Sequence, residues 1–99
     1  MNEYNMPDMT LHCLKEYVEN RVPPGGFLYA VLTNNLIESF GRADEGNSAS
    51  LQQIVRYLYN EMPADCWGSP AKVKAWLESD EAKAIQAKVA EDARNNYKG

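Results

Sequence analysis

The sequence predicts an all-α fold, a compact single-domain bundle of four to five short helices, and three observations carry that expectation. Ninety-nine residues with 44% hydrophobic and 24% charged side chains suit one globular domain. Apolar residues recur three and four positions apart along most of the chain. No useful run of β alternation and no repeat of roughly 20–50 residues interrupts that period.

The elements follow in order. Residues 1–8 are polar, contain Pro7 and have no period, so a flexible lead-in is expected. A first helix over about 9–21 gathers Leu11, Leu14, Tyr17 and Val18 on one face, with Lys15, Glu16 and Glu19 opposite. Pro23 and Pro24 end it by removing amide donors, and Gly25–Gly26 permit a sharp turn. A second helix, about 26–40, holds the most apolar segment, from Phe27 to Phe40, and is expected to be central, with Gly41 as its stop. Residues 41–48 read as a connector, and Asn47 or Ser48 is placed to cap a third helix, about 48–62, that buries Leu51, Ile54, Val55 and Leu58. After Pro63 and a Cys66-Trp67-Gly68 loop, Ser69 and Pro70 are a good cap and first-turn pair for a fourth helix to about Glu78. Ser79–Asp80 can cap a fifth helix, to about Asn95, whose apolar side is small; it either prolongs the fourth helix or projects towards another subunit. The folded domain is expected at 9–95, with a C-terminal tail at 96–99.

Ten Lys and Arg against fourteen Asp and Glu give a net charge of −4, which argues against broad binding to nucleic acid or to an anionic membrane. No apolar run reaches the roughly 18–20 residues of a membrane helix, and the N-terminus lacks the basic and apolar regions of a signal peptide. The cytoplasm is therefore the expected compartment, and Cys13 and Cys66 read as reduced thiols. A chain this short buries only about 60–65% of its unfolded surface, which makes a homo-oligomer an expected state.

PPGGFLYAVLTNNL at 23–36 and CWGSPAKVKAWL at 66–77, with ADEGN and IVRYLYNEMP between them, resemble a family of short proteins encoded by tailed bacteriophages and related mobile elements. The resemblance covers residues 10–78. Asn35 stands where members of that family often carry Asp, so a role needing negative charge there is weakened. The resemblance implies a phage accessory protein acting inside a bacterial cell, and implies no catalytic residue.

The candidate ligand-binding residues are Arg21, Pro24, Gly25, Gly26, Phe27, Asn34, Asn35, Arg42, Arg56 and Trp67. The PPGG turn opens a helix, where free amides and the helix dipole favour an anion, glycine lets a phosphate approach, and Arg21 can add a bidentate contact. The bland alternative is that Pro and Gly merely reverse the chain. Tyr17, Tyr29, Tyr57, Tyr59 and Trp67 are many rings for a small domain, and those near Arg21, Arg42 or Arg56 can stack a nucleobase. Against that, Tyr17 and Tyr57 are expected at the edge of the core with wet hydroxyls, and Trp67 as a plug or a partner anchor. The polar set Thr33, Asn34, Asn35 and Glu38 either reads the edge of a ligand or is a solvated face.

Catalysis has little footing. His12 and Cys66 lack an orienting partner in the pattern, no Cys or His spacing suits a metal, and Asp44–Glu45 and Glu91–Asp92 read as solvated charge. The expected function is that of a non-enzymatic, self-associating module without cofactor or metal, which binds a nucleotide or other phosphorylated small molecule and thereby sequesters a host defence signal. The rival reading is an inhibitor or adaptor that docks an acidic surface, Asp44, Glu45, Glu78, Asp80 and Glu81, on a basic host protein. A structural component of the phage particle is a third.

Overall fold

The computed structural model describes residues 3–96. Their order is α1 (Asp8–Asn20), α2 (Gly26–Leu32), α3 (Leu36–Arg42), α4 (Glu45–Ala49), α5 (Leu51–Glu61), a 3-10 turn (Ala64–Cys66), α6 (Pro70–Glu78) and α7 (Asp80–Asn96). The class is all-helical as expected, and there is no strand among the described residues. Among the described residues seven α-helices replace the expected four to five, because the helix expected at 26–40 is broken in the middle and most of the connector expected at 41–48 forms a short helix of its own.

The break falls at Thr33–Asn35, inside the helix expected at 26–40. Thr33 donates its hydroxyl to Tyr29 O at 2.8 Å, Asn34 turns left-handed at φ 65°, and the Asn35 side chain accepts Glu38 N–H at 3.2 Å as a new cap. Three of the four residues read as a polar helix face, Thr33, Asn34 and Asn35, are thus a helix stop and restart, and Glu38 lies in the first turn of α3. The unexpected helix is α4, which Ser50 separates from α5. Asp44, rather than Asn47 or Ser48, caps the upstream piece by accepting Asn47 N–H at 2.8 Å.

α1 ends differently from the expectation as well. Arg21, not glycine, takes the left-handed cap at φ 55°, its amide bonding Glu16 O, and Gly25 is extended rather than turned. The Pro-Pro pair leads the chain away from α1, while Gly68, at φ 114°, is the left-handed glycine among the described residues. Ser69 and Ser79 cap as expected, accepting Lys72 N–H at 3.2 Å and Ala82 N–H at 3.1 Å. Ser79 separates α7 from α6, and α7 packs against α1 and α6 instead of prolonging the fourth helix.

The core joins Leu14 and Tyr17 of α1, Leu28, Val31 and Leu32 of α2, Leu51, Ile54 and Leu58 of α5, Cys66, and Val73 of α6. Val55, expected inward, is exposed. The segment expected to lead in contributes Met6 to this core, and Tyr4 meets Tyr57 edge-on at 5.2 Å. Residues 1–2 and 97–99 lie outside the described residues. Tyr17 is fully buried rather than wet, and donates its hydroxyl to Cys66 O at 2.8 Å. Gly68 N–H donates to Leu32 O at 2.7 Å, so the Cys66-Trp67-Gly68 loop satisfies a carbonyl at the end of α2. Among the described residues no helix is long and apolar enough to cross a membrane.

Candidate functional site

α2 and α3 form an antechamber to the core: a hollow of about 450 Å³ lined by Pro24, Gly26, Tyr29, Ala30, Thr33, Asn35, Glu38 and Arg42. Helical spacing places its walls. Gly26, Tyr29, Ala30 and Thr33 are one face of α2, and Asn35, Glu38 and Arg42 are the facing side of α3. The Thr33–Asn35 break folds the second wall against the first.

Arg42 supplies the positive charge. Its Nε donates to Glu38 Oε2 at 2.9 Å, and both side chains are more than half exposed, so the pair itself is worth little stability. Only one of five guanidinium N–H groups is used in that bond, and the Nη fork lies over the start of α2. A Cβ on Gly26 would stand 3.1 Å from Arg42 Nη1, so the missing side chain gives the guanidinium its room. Asn35 holds its carboxamide oxygen on Glu38 N–H, which leaves the amide nitrogen as a donor at the rim. Tyr29 stands between this hollow and a second of about 310 Å³, lined by Pro70, Ala71, Val73, Lys74, Leu77 and Glu78. Its ring is exposed, as a stacking platform must be.

Of the ten residues expected at a site, the structure brings four together here: Pro24, Gly26, Asn35 and Arg42. Arg21 is elsewhere and is a structural residue. It is 6% exposed, its guanidinium lies 3.5 Å above the Trp76 ring, Nη1 donates to Trp76 O at 2.8 Å, and Nη2 faces Glu81 at 3.8 Å. Gln86 donates to Arg21 O at 2.9 Å and Trp76 Nε1 to Tyr17 O at 3.0 Å, so Arg21 ties α1 to α6 and α7. The left-handed cap aims its side chain at α6 and away from the PPGG segment. Gly25 and Phe27 line a different hollow, with Met9, Thr10 and Cys13. Asn34 borders a shallow groove with Leu36 and Val55. Arg56 is exposed on α5, and Trp67 is half-buried against the core, its ring 6.5 Å from that of Tyr59.

Tyr29, weighed as a stacking ring but not placed among the ten candidate residues, lines this hollow, and the pairing of Glu38 with Arg42 was missed. The i, i+4 spacing of Tyr29 with Thr33 and of Glu38 with Arg42 was a visible signal for both. A helix N-terminus contributes less than expected, because α2 has only seven residues.

The Cys66 thiol is a poor nucleophile in position and chemistry. Cys66 is fully buried, its Sγ donates to Pro63 O at 3.1 Å, and burial pushes the thiol up to about 11. His12 is instead on the outer face of α1, 4.0 Å from Glu16. Among the described residues no three His, Cys, Asp or Glu side chains are grouped to hold a metal ion. Comparison with protein-family models, curated proteins and solved structures finds no match to this chain.

Proposed function

We propose that this chain is a non-enzymatic accessory protein of the tailed-phage kind, a self-associating helical module that holds a small nucleotide-type anion between α2 and α3. Sequestering a signalling nucleotide of the host cell is the use that needs no catalytic group. The observation that carries the reading is the convergence of an exposed aromatic face, a carboxamide, a carboxylate and a guanidinium on one hollow of ligand size. In this reading Tyr29 stacks the base, and Glu38 and Asn35 take its donors and acceptors. The Arg42 Nη fork grips the phosphate while Nε remains on Glu38. The phage-family resemblance of the two segments at 23–36 and 66–77 supports the setting.

Native mass spectrometry of gently purified protein, followed by calorimetric titration with nucleoside mono-, di- and cyclic phosphates, tests the reading. Arg42→Ala is expected to weaken the bound nucleotide at least about tenfold, the loss of one charge-assisted fork. Arg21→Ala is expected to lower the melting temperature yet leave affinity intact wherever the protein is still folded. A wild-type chain that binds none of these phosphates overturns the site.

The rival, an acidic docking surface, has one observation in its favour: Asp44, Glu45, Glu78, Asp80 and Glu81 are all exposed. Capture of a basic host protein that weakens steeply with added salt would favour it over the pocket.

A further inference from the structure

α3 is amphipathic in the wrong sense for a monomer. It buries Ser39, whose hydroxyl donates to Asn35 O at 2.6 Å, and turns Leu36, Ile37 and Phe40 outward at 63%, 80% and 53% exposure. The face continues onto α5. Leu36 and Val55 line one shallow groove, and Tyr59 follows Val55 one turn along, 77% exposed.

We infer that this α3–α5 face is where a second copy of the chain docks, in a two-fold dimer with α3 against α3. Three properties of the face choose that occupant. The first is area: the five apolar side chains leave roughly 600 Å² exposed, and with a polar rim this approaches the ~800 Å² per partner of a stable interface. The second is charge. Two copies at net −4 repel one another, and they meet at least cost where neither presents charge; Leu36, Ile37, Phe40 and Gly41 form such a face, while Glu38 and Arg42 lie on the opposite flank, in the ligand hollow. The third is shape. An isologous contact needs knob and notch on the same patch. Ile37 is the knob, and Gly41, one turn later, is the notch: a Cβ built there meets nothing within 4 Å, so a neighbouring helix can approach its backbone. Gly41 also weakens an exposed helix turn relative to alanine, a weakness that close approach of a second helix accounts for.

This inference rests on the self-association in the proposed function and is independent of its ligand, since the dimer can exist without a nucleotide and the hollow without a dimer. Sedimentation equilibrium of the full chain across a wide concentration range tests it. The wild type is expected as a dimer, or as an even-numbered assembly of dimers. Ile37→Asp, on a side chain that supports nothing in the monomer, is expected to raise the dissociation constant at least about 100-fold with an unchanged helical circular dichroism spectrum. Gly41→Gln, which helps the isolated helix and fills the notch, is expected to weaken association as well; a merely local role for Gly41 predicts greater stability and unaltered association. Met9→Asp, an exposed apolar residue on α1, is the control and leaves the dimer intact. A monomeric wild type, an odd-numbered assembly, a dimer insensitive to Ile37→Asp, or a monomer that binds a different protein through this face would each overturn the inference.

Discussion

α2 and α3 are the two halves of the most apolar segment in the chain, seven residues each, and they have opposite fates. α2 buries Leu28, Ala30, Val31 and Leu32 in the core, while α3 buries only Ser39 and exposes every large apolar side chain it has. Composition separates them only in part: α2 has no charged residue, whereas α3 carries Glu38 and Arg42 beside its three large apolar side chains. The rest is decided by Thr33, Asn34 and Asn35, which stop one helix and cap the next, and so turn the second half out of the core. An apolar run therefore reports how much surface must be covered, and the break within it decides whether the same chain or another one does the covering.

The sharpest way to break this contrast is to truncate one residue in each half. Leu32→Ala, at a fully buried position, is expected to cost 2–5 kcal/mol, through lost transfer energy and the cavity left behind. Ile37→Ala is expected to stay within about 0.5 kcal/mol when measured at concentrations dilute enough to hold the monomer. Urea denaturation of both variants checks the pair, and equal losses would mean that α3 is as much core as α2.

A second, smaller effect concerns what lies against α2. The Cys66 thiol is raised from 9.0 to about 11 by burial, and burial raises the Tyr17 phenol too. Each group is held neutral in the folded state, so the unfolded chain gives up its protons first and stability falls as pH rises. For Cys66 the stabilisation is fully present below about pH 9 and is lost as pH climbs through 11, an effect of about 3 kcal/mol at most. Melting temperature against pH reads this directly. Loss is expected to loosen the loop bonded to Leu32 O, on the α2 side, and to leave α3 helical.

The smallest effect is at the break. Asn34 is at φ 65°, so Asn34→Ala is expected to cost about 1 kcal/mol and Asn34→Gly close to nothing. Thermal melts of the two variants measure it, and an Asn34→Ala protein as stable as wild type would show that the left-handed turn does not hold α2 and α3 apart.

Much of this was legible in the chain. The helical class, the Ser69-Pro70 and Ser79 starts, and the inward stripe of Leu51, Ile54 and Leu58 follow from period, cap chemistry and residue type. The split of the second helix was harder to see because Thr, Asn and Asn cost a helix interior only tenths of a kcal/mol each, and tertiary contacts tip that balance. Arg21 was misread for a related reason. Next to Pro and Gly it has the composition of an anion site, and its direction is set by a backbone angle and by Trp76, 55 residues away along the chain.

The sequence by itself determined what is local: which stretches are helical, where serine or proline starts them, and how much apolar surface they carry, because these depend on neighbours within a turn or two. Only the tertiary structure decided which of that surface is covered, that Arg21 braces the fold while Arg42 faces the hollow, and that α3 presents its apolar side to the outside. Those outcomes depend on contacts between residues far apart in the chain, whose free energies outweigh the small local preferences they override.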